Sequence, residues 1–239
     1  MNELLKNVME AHDKFGRWPG FKKLHATIVT DGALWGMKGL LQDQEPRKAT
    51  VWLDQQHCTL SPFGDADWHC DFTPARVVIF KSDGTVVAER GNPRESFAGH
   101  DKQTLWDPLH LAYFDGYALW TYLSTPFLLM MECVEVSEVD PWNESGETWR
   151  VLRACFPKTI ATHSAVQDFY FGSDFRLRRH DYRMDLAGGF DSAHLVYDYI
   201  EADGIVIPTR RRAYVRGSDL RPISSPVMVS IDVSKVWFS

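Results

Sequence analysis

Between Gly116 and Met131 the chain runs for sixteen residues, GYALWTYLSTPFLLMM, without a charged side chain. A segment this apolar has to be covered, by lipid or by the rest of the protein. Crossing a bilayer takes about 20 mainly apolar residues, and this run is shorter and holds Pro126. Asp107-Pro108 ahead of it reads as an N-cap followed by proline at the first helical position, and Ser124-Thr125-Pro126 reads as a stop. The pattern predicts a buried helix of roughly four to five turns, apolar on most of its circumference, so neighbours must pack on several of its sides.

What surrounds that helix reads mainly as strand. The first residues, MNELLKNVMEAHDKF, place Leu4, Val8, Ala11 or His12, and Phe15 at helical spacing, and Trp18-Pro19-Gly20 ends the helix. Strand signals follow over Lys22–Thr30, Trp35–Leu41 and Ala49–Leu60, the last putting Trp52, Asp54, Gln56 and Cys58 on one face. Arg76–Phe80 and Thr85–Glu89 flank Ser82-Asp83-Gly84, a hairpin turn because Asp-Gly accepts positive φ. After a helical block of about 97–131, strands resume at Cys133–Val139, Thr148–Phe156, Thr159–Phe171, Phe175–Met184, His194–Glu201, Val206–Arg216 and Val227–Phe238. Asn143-Glu144-Ser145-Gly146, Gly172-Ser173-Asp174, Gly188-Gly189 and Asp203-Gly204 mark the turns between them. Short strands and tight turns imply antiparallel neighbours, not parallel crossovers. An α+β fold with one antiparallel sheet of this many strands must curl or close. The expectation is a single domain over 1–239.

The order of elements, ending in the Gly204-x-x-x-Pro208 hairpin, resembles the LolA/LolB-type half-barrel. That resemblance implies an open antiparallel sheet wrapped around an apolar cavity whose mouth is covered by helices. The stretches GYALWTYLSTPF, WRVLRACFP, LRRHDY and PTRRRAYVR also resemble an uncharacterised bacterial protein family. No secretory leader opens the sequence, so a cytoplasmic location with reduced thiols is expected.

Composition narrows the function. Net charge is −6, which argues against nucleic-acid binding, since that requires excess Lys and Arg. The chain has no G-x-S-x-G elbow, P-loop, G-x-G-x-x-G or H-E-x-x-H, and no cofactor is expected. His57-Cys58 and His69-Cys70 are zinc-type residues, but neighbouring strand residues point to opposite faces and paired Cys-x2–4-Cys spacing is absent. Buried thiols and ordinary histidines are the reading, with no metal site. Glu138, Glu144 and Glu147 beside Trp142 and Trp149 read as solvated carboxylates.

The late strands carry the candidate site. Residues 1–149 hold 13 basic and 22 acidic side chains, whereas 150–239 hold 13 basic and 10 acidic, eleven of the basic ones arginine. Period-2 alternation puts Arg178, His180 and Tyr182 on one face and Arg179, Asp181 and Arg183 on the other. Arg210, Arg212, Tyr214 and Arg216 likewise oppose Arg211 and Ala213. His163, Gln167 and Phe169 share a face if their strand is unbroken. Together with the aromatic excess, 31 Trp, Tyr and Phe residues, this leads to two expectations. The first is a cavity for a small hydrophobic or aromatic ligand whose anionic or polar end is held by Arg178, Tyr182, Arg210, Arg212, Tyr214 and Gln167, with Trp120 of the uncharged helix at its side. The second is a cofactor-independent lyase, isomerase or cyclase with His163 or His180 as proton carrier and Asp181 orienting it. The oligomeric state has no signal in the sequence.

Overall fold

The computed structural model describes residues 2–40, 44–144 and 146–239. Among them the strands form one antiparallel sheet of 13, ordered β6-β5-β4-β3-β2-β1-β13-β12-β11-β10-β9-β8-β7. The chain therefore winds outward from β1 to one edge, crosses through the helical segment, and returns from the other edge to close β13 onto β1. In chain order the elements are α1 (Glu3–His12), β1 (Lys23–Asp31), α2 (Ala33–Met37), β2 (Arg47–Trp52), β3 (Cys58–Ser61), β4 (Trp68–Thr73), β5 (Arg76–Lys81) and β6 (Val86–Gly91). They continue with α3 (Pro108–Ser124), β7 (Glu135–Glu144), β8 (Glu147–Cys155), β9 (Val166–Phe171), β10 (Leu177–Met184), β11 (Phe190–Ala202), β12 (Ile205–Val215) and β13 (Val229–Phe238). The sheet is curved and not closed. Its edge strand β7 carries Pro141 and the exposed acids Glu135, Glu138 and Asp140, which blunt further strand pairing.

The uncharged segment is the helix its sequence predicts. Asp107 caps α3: its carboxylate accepts from the His110 backbone N–H at 2.8 Å, and His110 Nδ1 accepts from the Asp107 N–H at 3.1 Å. Of its 17 residues, 15 are buried. The helix lies in the hollow of the sheet, packed on β2 to β5, and Gly116 permits the approach because a Cβ there would sit 2.2 Å from the Phe72 ring. Among the described residues no helix is long and apolar enough to cross a membrane.

Four expectations need correction. Trp35–Leu41 is not a strand: Gly32, at φ +132° and so close to the Met228 backbone that a Cβ would collide with its carbonyl oxygen, turns the chain into the short helix α2, and Leu41 lies outside the described residues. Ala49–Leu60 is two strands, β2 and β3, separated at 53–57, so Trp52, Asp54, Gln56 and Cys58 do not form one row. β4 was not foreseen. It pairs with β3 through Leu60–Cys70 and Cys58–Phe72, which does bring the two thiols onto neighbouring strands. Finally, the run Thr159–Phe171 is strand only from Val166, so His163 sits in the preceding loop. Of the turn at 143–146, Ser145 lies outside the described residues.

Candidate functional site

Where α3 meets the concave face of β9 to β12, the contact is polar. Tyr117 and Tyr122, on the helix, reach His163 from two sides: Tyr117 OH lies 3.0 Å from Nδ1 and Tyr122 OH 2.6 Å from Nε2. Tyr122 OH also meets Tyr182 OH of β10 at 2.9 Å, and Tyr182 OH meets His194 Nδ1 of β11 at 3.2 Å. The result is a buried hydrogen-bonded chain of five side chains. His163 stacks on the Tyr182 ring at 4.0 Å. Beside it His180 stacks on Phe169 at 4.2 Å, and its Nε2 lies 2.6 Å from Gln167 Oε1. Arg211, on β12, is 1% exposed, and its Nη2 donates to the Tyr122 carbonyl in the last turn of α3 at 2.7 Å. There the partial negative charge of the helix end favours a cation.

Burial sets the protonation of this cluster. It drives His163 down to about 3, with Arg94 adding to the effect, and holds His180 and His194 well below the usual imidazole range. It pushes Tyr117 and Tyr122 well up and Tyr182 up to about 12. At neutral pH the chain is thus made of neutral imidazoles and phenols. A neutral imidazole has one donor and one acceptor nitrogen, so His163 donates to one tyrosine and accepts from the other. Among the described residues, His180 Nδ1, His194 Nε2, and Arg211 Nε and Nη1 have no hydrogen-bond partner. The interior space touching Tyr122 is only about 10 Å³, at most one water. The hollow that the sequence assigned to a guest is filled by α3.

Open space lies at the rim instead. A groove of about 390 Å³ runs between α1 with the Trp18 turn and the C-terminal end of α3. Met9, Trp18, Leu53, Trp120, Phe127, Leu128 and Met131 wall it, and Trp18 stacks on Phe127 at 3.9 Å. Trp120 is fixed by its Nε1–H, shared between the Trp52 and Gln55 carbonyls at 2.9 and 3.0 Å. The charged side chains at this groove are Glu10 and Asp13, the latter accepting from the Arg17 and Trp18 backbone N–H groups.

The predicted residues therefore separate. His163, His180, Gln167 and Tyr182 come together in the interior, and Trp120 lines the groove. Asp181 does not orient His180. It points to the opposite face of β10, where Arg179 binds it at 2.6 and 2.7 Å, Arg216 at 2.7 Å and Tyr170 OH at 3.1 Å. Arg210, Arg212 and Tyr214 alternate with the buried Arg211 and Ala213 and face away from the helix. Arg210 pairs with Asp198 and Arg212 with Asp232, so none of the three reaches the groove or the interior cluster. Arg178 is held at the surface by Asp174 at 2.8 Å. Tyr117, Tyr122, His194 and Arg211 complete the cluster and were not among the predicted site residues. The available signal was hydroxyls within the uncharged run that begins at Gly116, since a buried phenol must find a partner. His57 pairs with Asp71 at 2.9 Å and stacks on Trp52, while Cys58 and Cys70 are buried beneath α3. Among the described residues, no three His, Cys, Asp or Glu side chains are grouped to hold a metal ion.

A long open antiparallel sheet curled around a central helix, with a second helix at its mouth, defines this chain as a LolA-like half-barrel. Solved structures share the fold, and two of them illustrate it. The chain is similar to a LolA superfamily protein from Nitrosomonas europaea, with 10% identity and a TM-score of 0.52 over 98% of this chain and 90% of that one. It is also similar to a DUF1329 family protein from Desulfovibrio piger, with 11% identity and a TM-score of 0.54 over 99% and 92% of the two chains. No family model matches the sequence, and no curated protein does.

Proposed function

We propose that this protein binds a small hydrophobic molecule in the groove between α1 and the C-terminal end of α3. The observation that carries the reading is the groove itself: about 390 Å³, within the roughly 300–1,000 Å³ of small-ligand sites, and walled by aromatic and thioether side chains. Methionines 9, 130 and 131 supply adaptable surface that conforms to guests of differing shape. The arginines expected to hold an anionic end lie elsewhere, and Glu10 and Asp13 edge the groove, so a neutral guest suits it better than a carboxylate. The alternative, acid–base catalysis at His163 or His180, has less support because both rings are fully buried and hydrogen-bonded to other side chains, and neither lines the groove. Titration with the neutral fluorophore N-phenyl-1-naphthylamine tests the proposal, since Trp18 and Trp120 in the wall report its arrival. Saturable one-to-one binding is expected, weakened at least tenfold, about 1.4 kcal/mol, in Met9→Trp with the unfolding temperature unchanged. Absence of saturation, or undiminished binding by Met9→Trp, overturns it.

A further inference from the structure

Toward the other end of α3 lies a second concavity of about 300 Å³. Three separate stretches meet there: Pro74 from the β4–β5 turn, Asn92, Arg94 and Glu95 from the segment after β6, and Lys158 from the link between β8 and β9, with Tyr113 of α3 as the floor. We propose that this pocket binds a small organic oxyanion, a carboxylate or phosphate group held between Arg94 and Lys158. It is independent of the apolar groove and does not rest on it.

Charge is the first argument. The chain is acidic overall, at −6, and most of its arginines are engaged by carboxylates, as Arg76, Arg90, Arg150 and Arg153 are. This pocket instead brings two cations together against one carboxylate, Glu95. No carboxylate among the described residues forms an ion pair with Arg94 or Lys158. Asp185, which does not line the pocket, also feels Arg94 through space.

Geometry is the second. Arg94 Nη1 donates to the Thr162 carbonyl at 3.0 Å, which holds the guanidinium in place on a residue that is otherwise exposed. A planar fork fixed in this way is suited to a two-oxygen group. The Tyr113 hydroxyl lies against the same guanidinium and offers a further polar contact. The pocket is larger than a bare ion needs, and Pro74, Ala161 and the buried Tyr113 ring supply an apolar side for the body of the guest. A small organic acid or phosphate ester fits this combination.

The signs of three substitutions follow. Arg94→Gln and Lys158→Gln weaken binding, whereas Glu95→Gln strengthens it. All three side chains are exposed, so the variants keep the fold. The experiment follows the backbone N–H resonances of Asn92 and Ala161, which line the pocket and are unchanged in every variant, during titrations with benzoate and, separately, inorganic phosphate, at constant ionic strength set with chloride. Saturation with a dissociation constant near 1 mM or below is expected for at least one probe. Benzoate alone identifies a carboxylate guest, phosphate alone a phosphate guest, and both together the shared oxyanion chemistry. Arg94→Gln/Lys158→Gln should weaken binding at least tenfold, and Glu95→Gln should tighten it severalfold. Saturation by neither probe, a response no different from chloride alone, or undiminished binding in the double variant overturns the proposal.

Discussion

Removing Asp115 tests what holds α3 in the hollow. Its carboxylate accepts from Arg47 Nη1 of β2 at 3.2 Å, with both side chains only 5% exposed. Arg47 also donates to Thr30 Oγ1 at 2.5 Å, and its Nε has no hydrogen-bond partner among the described residues. Burial raises the Asp115 carboxyl above its ordinary range even though Arg47 opposes the shift, so desolvation outweighs the attraction. Two consequences follow with opposite signs. Asp115→Leu strands a guanidinium in the interior and should cost about 3–5 kcal/mol, whereas Arg47→Met/Asp115→Leu removes both charges and should be neutral or more stable by up to about 4 kcal/mol. At roughly 2–4 °C per kcal/mol for a chain of this size, the single variant should melt about 6–20 °C lower and the double one no lower than the parent. Calorimetry and urea unfolding of the parent, both single variants and the double variant give the coupling directly. A single variant within about 1 kcal/mol of the parent, or a double variant as unstable as the single, would refute the argument.

Acid should weaken the fold. His12 is lowered to about 4 and His163 to about 3 by burial, and His180 and His194 are also well below the free value. The unfolded chain therefore binds more protons than the native one below pH 6.5, so this contribution is complete above that pH and is lost as pH falls toward the folded values. Each such histidine adds a slope of up to about 1.4 kcal/mol per pH unit, and equal urea midpoints at about pH 7.5 and 5.5, either side of the free imidazole value, would contradict the assignment. Gly116→Ala should destabilise by about 1–3 kcal/mol despite the better helix propensity of alanine, because its methyl meets Phe72; a higher melting temperature would show that the helix is not held that close. Tyr122→Phe deletes the contacts to His163 and Tyr182 and should cost about 2–3 kcal/mol, read as a drop in unfolding free energy at constant m-value.

Local chemistry made the frame legible. Asp107-Pro108 and Pro126 announced the ends of α3, and Asp83-Gly84 announced the β5–β6 hairpin, because caps and tight turns are decided by the residues that form them. The resemblance to the half-barrel rested on that order. Errors fell where distant contacts decide. The turn at 53–57 carries neither Gly nor Pro and is held from outside, by Trp120 Nε1 on the Gln55 carbonyl and on that of Trp52 just before it, and by Gln56 paired with Ala161. α2 follows from Gly32 meeting Met228, nearly two hundred residues away. At 210–212 three consecutive arginines give no polar–apolar contrast, so alternation could say that neighbours face opposite ways but not which one faces in. The Tyr122 carbonyl at the end of α3 draws in Arg211, and no pattern within β12 encodes that partner.

The same contacts explain how a helix apolar nearly all round acquires one orientation. Such a helix has no amphipathic face to fix its rotation, so directional bonds must do so: Asp115 to Arg47, Tyr117 and Tyr122 to His163, and the Trp120 N–H to the 52–55 turn. Both concavities border this helix, the groove at Trp120 and Ser124 and the second pocket at Tyr113. Losing a directional bond should therefore loosen the pockets even where stability is kept. Arg47→Met/Asp115→Leu provides the case: buried ion pairs can specify one arrangement without adding stability. We expect that variant to bind N-phenyl-1-naphthylamine more weakly than the parent while melting no lower. Undiminished affinity would mean that the tyrosine–histidine contacts alone set the rotation of α3.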